Sequence, residues 1–298
     1  MTLQLSNDQL TVTFKELGGE LSSIKDKDGI EYLWQGDATY WGGQAPVLFP
    51  ICGSLRDNET LYPANANQQK KGQMPRHGLV RKEVFNGTQL SDKEVVYQLK
   101  STPGMFDAFP YHFELASHYR LEGSRIRVTY EVTNLEAEFA MPFTIGGHPG
   151  FNCPLLADEQ YEDYYLSFEE PETVTVPKVF PETGLVDLTD RTPFLENAEK
   201  LDLDYELFRD DTLVLDQLHS KVISLRSKNH DKGIAFHLGD FPFLVLWSTA
   251  NKGPFIALEP WLGMSTSKHE SDYFVDKINT QWLEAGQTRS YSFEIEVL

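Results

Sequence analysis

Cysteine is nearly absent from this chain: Cys52 and Cys153 are the only two among 298 residues. Two cysteines cannot build a disulfide framework, and they lack the paired spacing of a zinc site, so a reducing, cytoplasmic setting is expected. No apolar run approaches the roughly 20 residues that a membrane helix needs, and the start MTLQLSNDQLTVTF has no basic segment followed by a long apolar one. No membrane partner is therefore expected. Basic residues are also in deficit, 26 Lys and Arg against 45 Asp and Glu, for a formal charge of −19. Such a field repels nucleic-acid phosphates, so no nucleic-acid partner is expected either. A glycine-rich phosphate loop, a Gly-x-Ser-x-Gly elbow and the His-Glu-x-x-His spacing are all missing, which removes the usual grounds for a nucleotide, serine-hydrolase or metal reading. No cofactor and no metal are expected.

What is present is apolar and aromatic material in plenty, with 19 Phe, 13 Tyr and 5 Trp. It is arranged with period two. In Arg125–Thr133 apolar and polar side chains alternate, the pattern of a half-buried strand. Similar runs at 10–14, 95–99, 113–121, 222–225, 234–238 and 291–298 are separated by turn clusters such as Asp26-Lys27-Asp28-Gly29 and Asn86-Gly87. No long amphipathic helical repeat occurs. An all-β chain follows, and strand signals crossing every candidate boundary favour one large antiparallel β-sandwich domain over residues 1–298.

Three segments read as neither plain strand nor plain turn: Pro75-Arg76-His77-Gly78, Gly146-Gly147-His148-Pro149-Gly150-Phe151 and Ile256-Ala257-Leu258-Glu259-Pro260-Trp261. A following proline holds His148 and Glu259 extended, and the glycines around His148 allow close approach. Glu259 ends an apolar run, where a carboxylate is costly unless paired or used. His77 is uninformative by itself. His118 and His237 sit in alternating strands and read as structural, while His112, His219, His230 and His269 carry no signal.

Taken together, the Arg-His-Gly, Gly-His-Pro and Glu-Pro-Trp segments, in that order, resemble the galactose mutarotase-like superfamily, and within it the aldose 1-epimerase-related proteins of the LacX type. The Tyr40–Pro50 stretch, Gly53-Ser54-Leu55-Arg56-Asp57 and Met141-Pro142-Phe143 fit the same branch. The resemblance spans essentially the whole chain. It implies a β-supersandwich with a sugar cleft, His148 as general acid, Glu259 as general base, His77 near the ring oxygen and Arg56 on sugar hydroxyls. It implies a sugar-binding aspartate too, for which Asp210 and Asp211 both stand as candidates, with Asp210 favoured. Trp41 or Trp261 could pack on the sugar's apolar face. The expected activity is interconversion of the α and β anomers of an aldose, which needs one acid and one base and no redox or covalent step. Where typical galactose mutarotases carry an Asn-x-x-His-Gly-Gly type of segment, this chain has Pro75-Arg76-His77-Gly78, so free galactose does not follow as substrate. Arg76, Arg81 and Lys82 crowd His77, leaving a free sugar and a sugar phosphate both open. The rival readings are a catalytically idle sugar-binding or sensing protein on the same fold and a glycoside hydrolase. A monomer or a homodimer is expected.

Overall fold

The computed structural model describes residues 3–63 and 71–298, and its regular structure is almost entirely antiparallel strand. Two sheets matter for the site. The larger has nine strands in the spatial order Leu185–Asp202, Tyr164–Phe180, Val222–Ser227, Gly233–His237, Thr288–Val297, Arg125–Asn134, Phe113–Glu122, Glu94–Lys100 and Asn86–Ser91. The smaller runs Leu213–Leu215, Phe243–Trp247, Phe255–Trp261, Gly146–Gly147 and Val47–Leu48, with Gly150–Asn152 also paired to Phe255–Trp261.

Alternation sets the register. In the strand Arg125–Asn134 the buried apolar residues are Ile126, Val128, Tyr130 and Val132, and Val128 lies opposite Tyr119 on one side and Phe293 on the other. A one-residue slip would turn this whole set to solvent. The apolar faces of the two sheets meet through aromatic contacts, such as Phe151 of the smaller against Phe236 of the larger at 6.2 Å, with Phe236 stacked on Phe293 at 5.3 Å. One buried cluster runs from Leu5 to Val297.

All seven residues of Phe255–Trp261 are buried. Ile256 and Leu258 face the main core, while Trp261 joins a second apolar cluster with Leu48, Val214, Val245 and Met264. A strand covered on both faces reads as a continuous apolar run.

All seven strand runs expected from alternation are strands here. Alternation did not point to the long hairpin formed by Tyr164–Phe180 and Leu185–Asp202, which carries Pro171, Pro177 and Pro193 and breaks register at four places. Each bulge resets the period of two, so the pattern disappears although the pairing persists. No helix among the described residues is long and apolar enough to cross a membrane.

Candidate active site

The second, smaller apolar cluster floors a cavity of about 200 Å³, into which the three unusual segments converge. Glu259 reaches it from the central strand, opposite Val245, with Trp261 two residues on and so on the same face. The Trp261 indole N–H donates to Glu259 Oε2 at 3.1 Å. His148 lies in the link between the short strands Gly146–Gly147 and Gly150–Asn152, its main-chain N–H bonded to the Pro46 carbonyl at 3.0 Å. The flanking glycines have a steric reason. A Cβ at Gly147 would come within 2.9 Å of the Tyr130 hydroxyl, and one at Gly150 within 2.9 Å of the Trp41 ring.

His77 is held in the left-handed region at φ 69°, an uncommon state for a side chain with a Cβ. Its N–H donates to the Gly53 carbonyl at 2.7 Å, and the Gly53 N–H donates back to His77 Nδ1 at 3.2 Å. Nδ1 is thereby the acceptor, so in the neutral ring the proton sits on Nε2. The next residue, Gly78, is also left-handed and abuts the Phe49 carbonyl, which a Cβ would reach at 2.1 Å.

His148 Nε2 stands 3.4 Å from Glu259 Oε1, and both side chains are almost wholly buried. Burial disfavours charge on each. It pushes Glu259 well above the usual carboxyl range, with nearby Asp211 adding to the rise and the Trp261 hydrogen bond opposing it. It pushes His148 down to about 3, and Arg81 and Arg76 work in the same direction. His77 is likewise driven well below the usual imidazole value by burial first, then by the neighbouring His148 and the two arginines. Burial thus favours a carboxylic acid beside a neutral imidazole, a pair with one transferable proton between them.

The arginines at the cavity are Arg76 and Arg81. Arg76 donates from Nε to the Ser54 hydroxyl at 2.8 Å and lies 3.8 Å from Asp211. Arg81 is in no ion pair among the described residues, although Glu20 exerts a favourable field on it and burial works against its charge. Lys82 is exposed and outside the cavity.

Arg56, expected to meet the sugar, lies elsewhere. Its guanidinium pairs with Asp272 and donates to the carbonyls of Ser267, Lys268 and Glu270 at 2.9, 3.1 and 3.1 Å. Of the aspartate candidates, Asp211 lines the cavity, with a backbone φ of 84° and its carboxyl pushed upward by burial. Asp210 is exposed and paired with Arg209 at 3.5 Å. His77, His148, Glu259, Asp211 and Trp261 are thus brought together, while Arg56 and Asp210 are not.

Other lining residues gave no sequence signal. Trp247 ends an ordinary apolar strand, and Gly184-Leu185-Val186 form the end of the long hairpin. Ser265 and Met264 come from the loop that Arg56 fastens.

Residues 1–290 match the family described as aldose 1-epimerase. A protein LacX of Lactococcus lactis subsp. lactis is 52% identical over 298 residues, covering 100% of both chains. Among solved structures, a galactose mutarotase related enzyme from Lactobacillus acidophilus superposes with a TM-score of 0.92 at 25% identity, covering 100% of this chain and 97% of its own. A galactose mutarotase-like protein from Lactobacillus casei does so with 0.87 at 29% identity and 100% coverage of both.

Proposed function

The chain belongs to the aldose 1-epimerase family, and from that membership and the pocket's chemistry we propose that it interconverts the α and β anomers of an aldose by general acid–base ring opening. The carrying observation is the His148–Glu259 pair, 3.4 Å apart at the cavity wall with His77 edge-on to His148 at 5.4 Å. Ring opening moves a proton off the anomeric hydroxyl and another onto the ring oxygen. Glu259 accepts the first and His148 delivers the second. The pair's proton count is then unchanged, and closure on the other face of C1 runs the same transfers backwards. The reactive tautomer, carboxylate plus imidazolium, differs from the resting one by a single proton moved from Glu259 to His148. His77, neutral and protonated on Nε2, is a fixed donor toward the ring oxygen, and Asp211 and Arg76 hold hydroxyls. Trp261 packs on the sugar's apolar face.

A second reading of the substrate rests on Arg81, a partly buried guanidinium at the cavity with no ion-pair partner among the described residues. That favours an aldose carrying an anionic group, a phosphate foremost, over a neutral one. The long buried cluster from Leu5 to Val297 supports a single working domain, and the free, buried Cys52 and Cys153 fit a cytoplasmic setting.

The test is saturation-transfer NMR on a panel of free aldoses and their 6-phosphates, with release of sugar from aryl glycosides followed in parallel because Asp211 adds a second cavity carboxylate. Anomer exchange accelerated by substoichiometric protein, without glycoside cleavage, is the expected outcome. Binding without exchange across the panel would replace the proposal with a sugar-binding role.

A further inference from the structure

A catalytic histidine is normally oriented through its second ring nitrogen, which donates to a carboxylate or carbonyl and fixes both tautomer and plane. His148 has no such anchor in another residue, its ring being drawn only toward its own main chain. Its Nδ1 is buried and finds no hydrogen-bond partner in another residue among the described ones, and Nε2 is turned to Glu259. The ring plane must be set by packing instead.

The packing is specific. The Trp41 indole lies flat on the imidazole, centroids 4.7 Å apart and planes 25° from parallel, while Trp247 meets it edge-on at 5.5 Å and 87°. Trp41 is itself tightly seated. Its other neighbours are Phe255, stacked at 5.4 Å and 26°, Trp247, edge-on at 5.4 Å and 86°, and two glycines whose Cβ atoms would fall 2.5 Å (Gly43) and 2.9 Å (Gly150) from the indole. Its carbonyl accepts the Trp34 indole N–H at 2.7 Å. Phe255, Trp247 and Gly150, together with the adjacent Gly43, thus hold the indole in one plane.

Charge adds a second consequence. For His148 to act it must pass through an imidazolium, in a site where Arg76 and Arg81 oppose positive charge, His77 is neutral, and Glu259 and Asp211 are the facing carboxyls. An aromatic face attracts a cation placed over it, the more so as burial increases.

We infer that Trp41 is the positioning residue of His148, replacing by stacking the hydrogen bond that orients most catalytic histidines and favouring the ring's protonated state during turnover. The inference rests on the reading of His148 as the acid. It assigns the Trp41 face to the histidine, so the sugar does not stack on it.

The experiment compares Trp41→Phe, Trp41→Leu and Gly43→Ala with the wild type, each first checked for an unaltered melting profile. Anomer exchange gives kcat and KM across pH, and the ring resonance of His148, assigned with His148→Asn, is recorded without substrate. Trp41→Leu is expected to lower kcat by about 10- to 100-fold, the scale of a misplaced catalytic group, with KM within about threefold. Trp41→Phe restores most of that loss. Gly43→Ala, which alters no cavity side chain chemically but displaces the indole, behaves like Trp41→Leu. The His148 resonance should be single and sharp in the wild type and the Phe variant, and broadened or doubled in the Leu variant. A loss carried by KM, or equal losses for Phe and Leu, would overturn the inference and make Trp41 a sugar-stacking residue. If the wild type exchanges no anomers, the functional reading falls, while the resonance still decides the positioning role: a sharp His148 signal in Trp41→Leu defeats it.

Discussion

His148, in the link between Gly146–Gly147 and Gly150–Asn152, faces Glu259 of the strand Phe255–Trp261 at 3.4 Å, and burial disfavours charge on each. Ordinary values for a carboxyl and an imidazole would confine the singly protonated pair to a narrow interval, between about pH 4.5 and 6.5. With His148 moved down to about 3, the acid limb of the rate profile moves outward, while the alkaline limb passes to Glu259, which burial raises. A bell whose acid limb lies near pH 3 is expected for kcat/KM. A narrow optimum near pH 5.5 would contradict this picture of the pair.

Glu259→Gln keeps the carbonyl oxygen that accepts from the Trp261 indole but deletes the base, and His148→Asn deletes the acid. Each should cost about 10²–10⁴-fold in kcat, the usual worth of a positioned proton-transfer group. Sugar affinity measured by calorimetry on the same samples should change far less. Near wild-type exchange in Glu259→Gln would remove the carboxylate from the mechanism.

The same burial has a stability cost whose sign depends on pH. The folded state raises Glu259, so the unfolded chain loses that proton first. Stability is full below about pH 4.5 and declines as pH rises toward the folded value. His148 is the reverse case. Its folded value of about 3 lies below the ordinary 6.5, so stability is full above pH 6.5 and declines as pH falls toward 3. Glu259→Gln should therefore raise the melting temperature more at pH 8 than at pH 4, and His148→Asn more at pH 4 than at pH 8. Melting differences that do not vary with pH would count against buried, neutralised groups.

Much of this was legible from residue order, for identifiable reasons. Strands half exposed to water, such as Arg125–Asn134, keep a period of two that the sequence displays directly. Glu259 was visible because a carboxylate inside an apolar run is costly, and His148 because Gly and Pro surround it. The cavity's far wall was not visible. The end of the hairpin at Gly184 to Val186 reaches the site through strands whose bulges erase the period, and Trp247 looks like any buried strand residue. Arg56 was misplaced because sequence shows that a guanidinium is present but not where it points. Three main-chain carbonyls and Asp272 take all its attention. Asp211 could not be separated from Asp210, since adjacent residues on a bend are told apart only by backbone angle.

Arg56 and Arg81 should accordingly fail in different ways. Arg56→Ala removes several charge-assisted bonds that tie down the 267–272 loop, and a stability loss of about 1–3 kcal/mol is expected. Arg81→Gln leaves stability within about 0.5 kcal/mol, because no ion pair among the described residues is broken, and raises KM for a sugar 6-phosphate while leaving that for the free sugar. Denaturant unfolding and paired kinetics separate the two. Equal KM changes for both sugars in Arg81→Gln would end the anionic-substrate reading.

The last expectation concerns Gly184, at the end of the long hairpin. It sits at φ 69°, and a Cβ there would fall 2.1 Å from the Arg76 guanidinium and 2.5 Å from the Ser54 hydroxyl. The hairpin end cannot easily retreat. Val186 is bonded through its N–H to the Thr266 carbonyl at 3.2 Å and through its carbonyl to the Lys268 N–H at 2.8 Å. In Gly184→Ala the flexible Arg76 side chain must therefore give way, losing its bond to Ser54 and its approach to Asp211. That movement breaks no contact of the acid–base pair. KM should rise roughly tenfold, corresponding to about 1.4 kcal/mol of binding, with kcat within about threefold. Left-handed backbone at an alanine adds about 1 kcal/mol of destabilisation, read separately by melting. A double-mutant cycle with Arg76→Ala isolates the cause: if Gly184 acts through Arg76, the double variant is no weaker in KM than Arg76→Ala alone. Additive losses would show instead that Gly184 touches the sugar by a route independent of Arg76.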